Sequence, residues 1–425
     1  HCIVPTQWKT ARVVPIPKIN PPILVESDLR PISITSGISK VAESFVCSFF
    51  NDHFDKLIDT NQFGCTSNRS TVLALIKICD LLFRSADNSS NFIRILFIDF
   101  SKAFDVVDHN ILLKKFEAYD FPTHIVAWSH SFLQERTQFV RVKNTNSTCR
   151  ILNAGTPQGT RSGPNDFKQL IDDLSFDIDY AKYVDDTTVV SVSSDPGDRS
   201  LQSAADRLLE WCTDNHMQIN AKKTKQMVIY FGKKFAKDAV PFVTFTSDQI
   251  ERVDTFKLLG VMFSSDLSWG PHVLYLLSKV SKRYYLIFQL ARVGVAQHDI
   301  ILIYCAIIRS VLEYACAVWH SGLTTAQSND IERVQKRCLR IIFPELSYSD
   351  ALFVAGLDRL SVRREQIVRD TFKNMQLPSH ILHNLLPSKH DHQFNSRDKY
   401  SYLLPVARTQ RYANSFIPYC IRKRY

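Results

Sequence analysis

Three carboxylates mark the chemistry this sequence could do. Asp99 closes an apolar run, Ile93 to Ile98, broken only by Arg94, and Asp185 follows it by 86 residues within Tyr183-Val184-Asp185-Asp186. The run reads as a buried strand that delivers Asp99 at its end. Tyr180 to Val184, the two acids and the β-branched return Thr187-Thr188-Val189-Val190 read as a β-hairpin with the acids at its turn. An isolated Asp-Asp is usually a solvated turn. Flanked by apolar strand sequence and matched with a strand-end acid upstream, this pair is better read as a place where divalent cations neutralise the repulsion between neighbours. Mg²⁺, with Mn²⁺ as a substitute, suits hard oxygen ligands and takes one or two carboxylates plus phosphate oxygens and water. Two such ions about 3.5–4 Å apart would activate an attacking oxygen and stabilise a leaving pyrophosphate during in-line displacement.

The elements that must position these acids are mixed. A Pro-rich lead (Pro5, Pro15, Pro17, Pro21, Pro22) gives way to helical stretches, of which Ser70 to Phe83 places Val72, Leu75, Ile76, Cys79 and Leu82 at a helical period. Further helices are expected near 107–118 and over 201–216, and Ser194-Asp195-Pro196-Gly197-Asp198 is a loop by composition. Beyond residue 270 the pattern turns helical. Within Asn329 to Ile342, Ile331, Val334, Cys338, Ile341 and Ile342 share one face while Arg333, Lys336, Arg337 and Arg340 share another, a stripe that either tracks phosphates or is simply solvated.

Composition agrees with a polyanion partner: 52 Lys and Arg against 42 Asp and Glu give +10 and a pI near 9.0. The 425 residues are enough for two or three subdomains around a substantial core. The longest apolar run, Ile300 to Ile308, ends at Arg309 and is too short to span a bilayer, so neither a transmembrane helix nor a signal peptide is expected. The ten cysteines form no CxxC and no close Cys/His cluster, which argues against a zinc knuckle and for reduced, buried thiols in an intracellular protein.

Ordered blocks along the chain carry a resemblance. They are Val13-Val14-Pro15-Ile16-Pro17-Lys18, Asp28-Leu29-Arg30-Pro31-Ile32-Ser33, Gln62-Phe63-Gly64 with Arg69-Ser70-Thr71, and Asp99-Phe100-Ser101-Lys102-Ala103-Phe104-Asp105. Next come Gly155-Thr156-Pro157-Gln158-Gly159 with Gly163-Pro164, then Tyr183-Val184-Asp185-Asp186, and Trp211 with Ile219-Asn220-Ala221-Lys222-Lys223-Thr224. Phe256-Lys257-Leu258-Leu259-Gly260-Val261 and Leu267-Ser268-Trp269 complete the series. In this order they resemble the reverse transcriptase of non-LTR, LINE-like retrotransposons, closest in style to the jockey group, from about residue 5 to about residue 345. The chain departs from that pattern at Asn165-Asp166-Phe167-Lys168, where an apolar stretch is usual, and at Asp172-Asp173, where Asn-Asp is commoner.

The resemblance implies a right-hand polymerase of α+β class: fingers over 1–90, a palm with an antiparallel sheet, the catalytic motifs and the primer-holding segment over 91–270, a helical thumb over 271–375, and a basic C-terminal tail over 376–425. That tail carries eight Lys/Arg against two Asp and reads as partly disordered, adding salt-sensitive affinity for RNA or DNA. The implied reaction is two-metal nucleotidyl transfer, extending a DNA primer with dNTPs on an RNA template. Asp99 and Asp185 would hold both Mg²⁺ ions, with the Phe100 carbonyl as an extra ligand and Asp186 completing the charge. Lys223 would protonate or neutralise pyrophosphate, although Lys222 and Lys225 stand close in sequence. Arg30 would grip the triphosphate with Lys18 assisting, Phe104 would be a steric gate against a ribose 2′-OH, and Gln158 and Gly159 would contact the nascent base pair.

Plainer readings compete: a surface ion pair for Arg30, a core phenylalanine for Phe104, and a simple Pro-Gln-Gly turn at 157–159. Trp211 reads as a helix-core anchor, and Asp105, Asp108, Asp172 and Asp173 as structural or exposed. A chain that opens at His1, just ahead of the first block, reads as a fragment from which an upstream apurinic-type endonuclease domain is missing, and no ribonuclease H signature is visible. Nuclear action on chromosomal DNA is implied, alongside a cytoplasmic ribonucleoprotein and no membrane partner. Two alternatives stand beside this one: a catalytically inert nucleic-acid-binding fragment of such an element, and an intron maturase, against which the jockey-like Leu312-Glu313-Tyr314-Ala315 and Val318-Trp319-His320 argue.

Overall fold

A computed structural model describes residues 2–236, 239–389 and 402–425. In chain order its strands are β1 (Thr10–Pro17), β2 (Leu29–Ile34), β3 (Phe92–Ile98), β4 (Arg136–Val142), β5 (Thr145–Asn146), β6 (Arg150–Leu152), β7 (Asp179–Tyr183), β8 (Asp186–Ser193), β9 (Lys225–Ile229), β10 (Thr244–Phe245), β11 (Asp248–Gln249), β12 (Thr255–Leu258) and β13 (Val261–Ser264). Every residue of β3 is buried, because the strand lies inside an antiparallel sheet of order β7-β8-β3-β9 with core on both faces. Strand alternation divides its side chains: Ile93, Ile95 and Phe97 join one core with the Thr71–Ser85 helix and the helical C-terminal half, while Leu96 and Ile98 join another with the Ser200–Asp214 helix. Arg94 is buried in the same strand, its guanidinium donating to the carbonyls of Asp198 and Pro241. The result is a right-hand polymerase fold of α+β class.

The second sheet has the order β2-β1-β4-β5, with β6 paired to β4. Its β1 lies parallel to β4, Thr10 beside Thr137, so residues 10–34 share a sheet with residues 136–152. A parallel partner so distant in sequence leaves no local trace. The Thr71–Ser85 helix, expected with the fingers, buries Leu75, Ile78, Cys79 and Leu82 against β7, the Cys316–Trp319 helix and the C-terminal helices.

Within the stretch expected to be a basic, partly disordered tail, residues 402–425 pack against the rest of the chain; residues 390–401 lie outside the described residues. The Phe416–Lys423 helix buries Phe416, Ile417, Cys420 and Ile421 against the Leu360–Met375 helix. Its basic neighbours are engaged: the Arg411 guanidinium lies 3.5 Å from the Phe231 ring, and the backbone amides of Arg408 and Thr409 donate to the Asp87 carboxylate at 2.8 Å. The Ile300–Ile308 run is likewise part of something longer. The helical stretch Gln297–Gly322 is long and apolar enough by length and composition to cross a membrane, but Tyr304, Ile308, Leu312, Cys316 and Trp319 are packed in the core, and Ala315 breaks it with φ of 52°.

The polar departure at 165–168 is answered from within. Lys168, fully buried, pairs with Asp55 at 3.0 Å and donates to the Cys65 carbonyl at 3.0 Å. Asp166 lies buried in the field of Glu43 and Arg136, and burial together with Glu43 holds its carboxyl well above the usual range. All ten cysteines are free thiols; five are buried as expected, whereas Cys65 and Cys149 are exposed.

Candidate active site

Asp99 leaves the sheet one residue past the last paired position of β3. Residues 218–224 pin it from the other side. Its amide donates to Thr224 Oγ1 at 3.2 Å, its carbonyl accepts from the Asn220 amide at 2.8 Å, and the Ser101 amide donates to the Gln218 carbonyl at 2.8 Å. The pairing of Ile98 with Thr187 brings the β7–β8 turn alongside. Tyr183 pairs with Asp186, which leaves Val184-Asp185 as a two-residue loop. Of the two only Val184 has positive φ, 60°, the sign pattern of a type II′ turn, where glycine is usual. Holding a β-branched residue there costs on the order of 1–3 kcal/mol.

Electrostatically Asp99 acts on both acids of the turn, and Asp185 acts on Asp186. Burial first, then Asp185 and Asp99, push the Asp186 carboxyl up to about 6, although the residue itself is open to solvent on one side. Asp185 is raised by burial and by Asp99, against the pull of Lys223. Asp99 is raised by burial, while Lys223 and Asn220 favour its ionised form. Its Oδ2 accepts no hydrogen bond, and Lys223 Nζ stands 3.8 Å from it. Lys225 is occupied by Glu251 at 2.7 Å, so of the neighbouring lysines Lys223 is the one that faces the acids.

The remaining expected residues are distributed around this centre. Phe100 is buried and meets Trp211 edge-on at 6.0 Å, which makes Trp211 a packing residue whose Nε1 also donates to Asp173. Phe104 is half-buried, its ring 4.9 Å from Phe167, and its carbonyl accepts from the Thr156 amide at 2.8 Å. Gln158 Nε2 donates to Asp105 at 3.1 Å. Gly159, at φ of 122°, lies so close to β2 that a Cβ there would sit 2.5 Å from the Ser33 carbonyl oxygen, so glycine is required by packing whatever else approaches. Arg30 and Lys18 are exposed at the far end of the β1–β2 hairpin, and neither is among the charges acting on the three acids. Asp108 caps the His109–Ala118 helix through the amides of Asn110 and Ile111.

Sequence reasoning passed over the residues behind the acids. Gln62 Oε1 accepts from the amides of Gly64, at 2.9 Å, and Val184, at 3.2 Å. The Gln-Phe-Gly block was visible, but nothing local says that it touches the Asp185-Asp186 turn. Downstream, the β12–β13 hairpin turns at Leu259-Gly260, both at positive φ, and Tyr314 Oη donates to the Leu259 carbonyl at 2.8 Å.

Residues 16–263 match the family described as Reverse transcriptase (RNA-dependent DNA polymerase). The chain belongs to that family. It is 26% identical over 357 residues to the "Probable RNA-directed DNA polymerase from transposon BS" of Drosophila melanogaster, covering 80% of this chain and 38% of that protein. It is also 26% identical to the RNA-directed DNA polymerase from mobile element jockey of the same fly, covering 63% of this chain and 30% of that protein. The chain thus spans about a third of the length of the curated relatives it matches. Among solved structures, telomerase from Candida tropicalis aligns over 84% of this chain and 63% of its own at 11% identity, with a TM-score of 0.47.

Reverse transcriptases generally depend on a divalent metal, and the residues here fit one. Asp99 raises both Asp185 and Asp186, Asp185 raises Asp186, and Asp99 Oδ2 accepts no hydrogen bond although Lys223 Nζ stands 3.8 Å away, so a cation would relieve a charge that the protein answers incompletely. Among the described residues no three His, Cys, Asp or Glu side chains close into a metal cage.

Proposed function

We propose that this reverse transcriptase is an RNA-directed DNA polymerase of a jockey-like non-LTR retrotransposon, extending a DNA primer with dNTPs on an RNA template. The observation that carries the reading is the convergence of Asp99 with the Asp185-Asp186 turn, where Asp99 raises both acids of the turn and Lys223 and Asn220 give partial relief. Asp99, Asp185, Asp186 and the Phe100 carbonyl would hold two Mg²⁺ ions, which when bound activate the primer 3′ hydroxyl and neutralise the departing pyrophosphate. Lys223 neutralises or protonates that pyrophosphate from its place beside Asp99. The Phe104 ring, seated against Phe167, occupies the space of a ribose 2′-OH and so selects dNTPs. Gln158, fixed by Asp105, lies against the nascent base pair. Arg30 and Lys18 reach the triphosphate only if the β1–β2 hairpin swings toward the acids as substrate binds. The exposed Arg333, Lys336, Arg337 and Arg340 of the Thr325–Ile342 helix follow the phosphates of the duplex. The site of action is nuclear DNA, reached from a cytoplasmic ribonucleoprotein.

The test is extension of oligo(dT) on poly(rA) with dTTP and Mg²⁺, comparing the parent with Asp185→Asn/Asp186→Asn. Extension by the parent alone is the expected result. No extension by either, with RNA still bound at low salt, would instead establish an inert nucleic-acid-binding fragment.

A further inference from the structure

We infer that Gln62 is a positioning residue for the reaction: its buried side-chain oxygen holds Val184 in the left-handed conformation that aims Asp185 and Asp186. The inference rests on the polymerase reading of that site. A two-residue turn needs positive φ at Val184, and valine does not adopt it unaided. The amide there would ordinarily point to water. Here it donates to Gln62 Oε1 at 3.2 Å, and the same oxygen accepts from the Gly64 amide at 2.9 Å. Both partners are N–H donors, so the atom that faces them has to be the oxygen. Gln62 is fully buried, and its Nε2 meets no partner, so the side chain is held there for its acceptor.

The backbone around Gln62 is built against the turn. The Phe63 amide donates to the Lys182 carbonyl at 2.7 Å, and the Lys182 amide to the Asn61 carbonyl at 2.8 Å, so residues 61–63 form a short third edge beside the acid hairpin. A Cβ on Gly64 would lie 2.4 Å from the Val184 nitrogen and 2.5 Å from its Cγ2, so only glycine lets the segment come this close. Lys182 anchors the far side of the turn, pairing with Asp59 at 2.9 Å and donating to the carbonyls of Asp172 and Leu174 at 2.8 Å. Gln62 therefore acts one residue away from the acids, through the Val184 backbone.

Gln62→Met keeps the length of the side chain and removes the acceptor. The expected loss in kcat is about 100-fold, as a displacement of about 1 Å at a reacting centre gives, with KM for dNTP changed less than about threefold. Glycine takes φ near 60° freely, so in a Val184→Gly background the same Gln62→Met change should cost less than about fivefold. An equal loss in both backgrounds overturns the inference. A measurement on the unaltered chain stands apart from activity: amide hydrogen exchange at single-residue resolution should show Val184 protected. Exchange as fast as an open turn amide overturns the inference even where Gln62→Met does not fold. Absent extension by every form, with Val184 protected, would sink the polymerase reading and leave the clamp standing.

Discussion

The chain holds two Asp-Asp pairs close together, and it treats them in opposite ways. At the end of the Gly163–Ile171 helix, Asp172 accepts from the Asp59 amide at 2.9 Å and from Tyr119 Oη at 2.7 Å, while Asp173 takes Lys115 at 2.7 Å and Trp211 Nε1 at 2.8 Å. Each of those carboxylates is answered by the protein. At the β7–β8 turn no described side chain donates a hydrogen bond to Asp185 or Asp186, Asp99 raises both, and Asp185 raises Asp186. The dipeptide alone therefore does not identify a catalytic pair. What separates the two is whether folding supplied donors, and the pair left without them is the one that calls for cations from outside.

The sharpest way to break this comparison is to neutralise each pair in turn. Asp185→Asn with Asp186→Asn, or Asp99→Asn alone, should lower primer extension by at least about 1,000-fold, while metal-free melting near neutral pH stays at or above that of the parent, because the raised acids no longer destabilise the fold. Asp172→Ala should do the reverse. Extension per folded molecule stays within about threefold, and stability falls by about 1–3 kcal/mol because the Asp59 amide and Tyr119 hydroxyl lose their acceptor. Steady-state extension and denaturant melts on the same preparations decide both.

The lysines sharpen it further. Lys223→Ala should cost about 100-fold in kcat, the scale of a proton donor or neutralising charge at the leaving group, whereas Lys115→Ala should leave kcat alone and lower stability by about 1 kcal/mol. Equal losses from both would erase the distinction between the pairs. A smaller effect is expected at the neighbouring Phe104, where Phe104→Ala should raise ribonucleotide incorporation relative to dNTP by about tenfold; unchanged discrimination would return Phe104 to a packing role against Phe167.

The acids were legible because their signals are local: an apolar run, an acid at its end, and a β-branched return that pairs with β3 from Phe92 to Ile98. Their surroundings were not: Asn220, Thr224 and Lys223 fold back beside Asp99, and Gln62 arrives from more than 100 residues upstream of the turn. The mixed α and β character was plain from pattern, yet the parallel β1–β4 pairing was hidden, since strand partners so far apart share no periodicity. In the C-terminal segment the charge drew the reading. Phe416, Ile417, Cys420 and Ile421 fall at helical spacing and are the residues buried, so the pattern was present and the basic composition obscured it.

The weakest expected effect is the most discriminating, because it reads charge without catalysis. In the metal-free protein the folded carboxyls of Asp99, Asp185 and Asp186 titrate higher than in the unfolded chain, Asp186 moving from 3.8 to about 6. The folded state then binds more protons than the unfolded state over that window, so stability falls as pH rises through it. Asp172 is also raised, by burial, and adds to the same fall. Mg²⁺ binds only the ionised acids, so the increase in Tm on adding it should grow as pH rises from about 4.5 to about 7. Asp186→Asn should flatten the metal-free slope and remove the Mg²⁺ increment together. Asp172→Asn should flatten the slope and leave the increment intact, since its charge is already met by Tyr119 and the Asp59 amide. If Asp172→Asn also abolished the Mg²⁺ increment, the two pairs would be one electrostatic unit, and the contrast between an answered and an unanswered pair would fail.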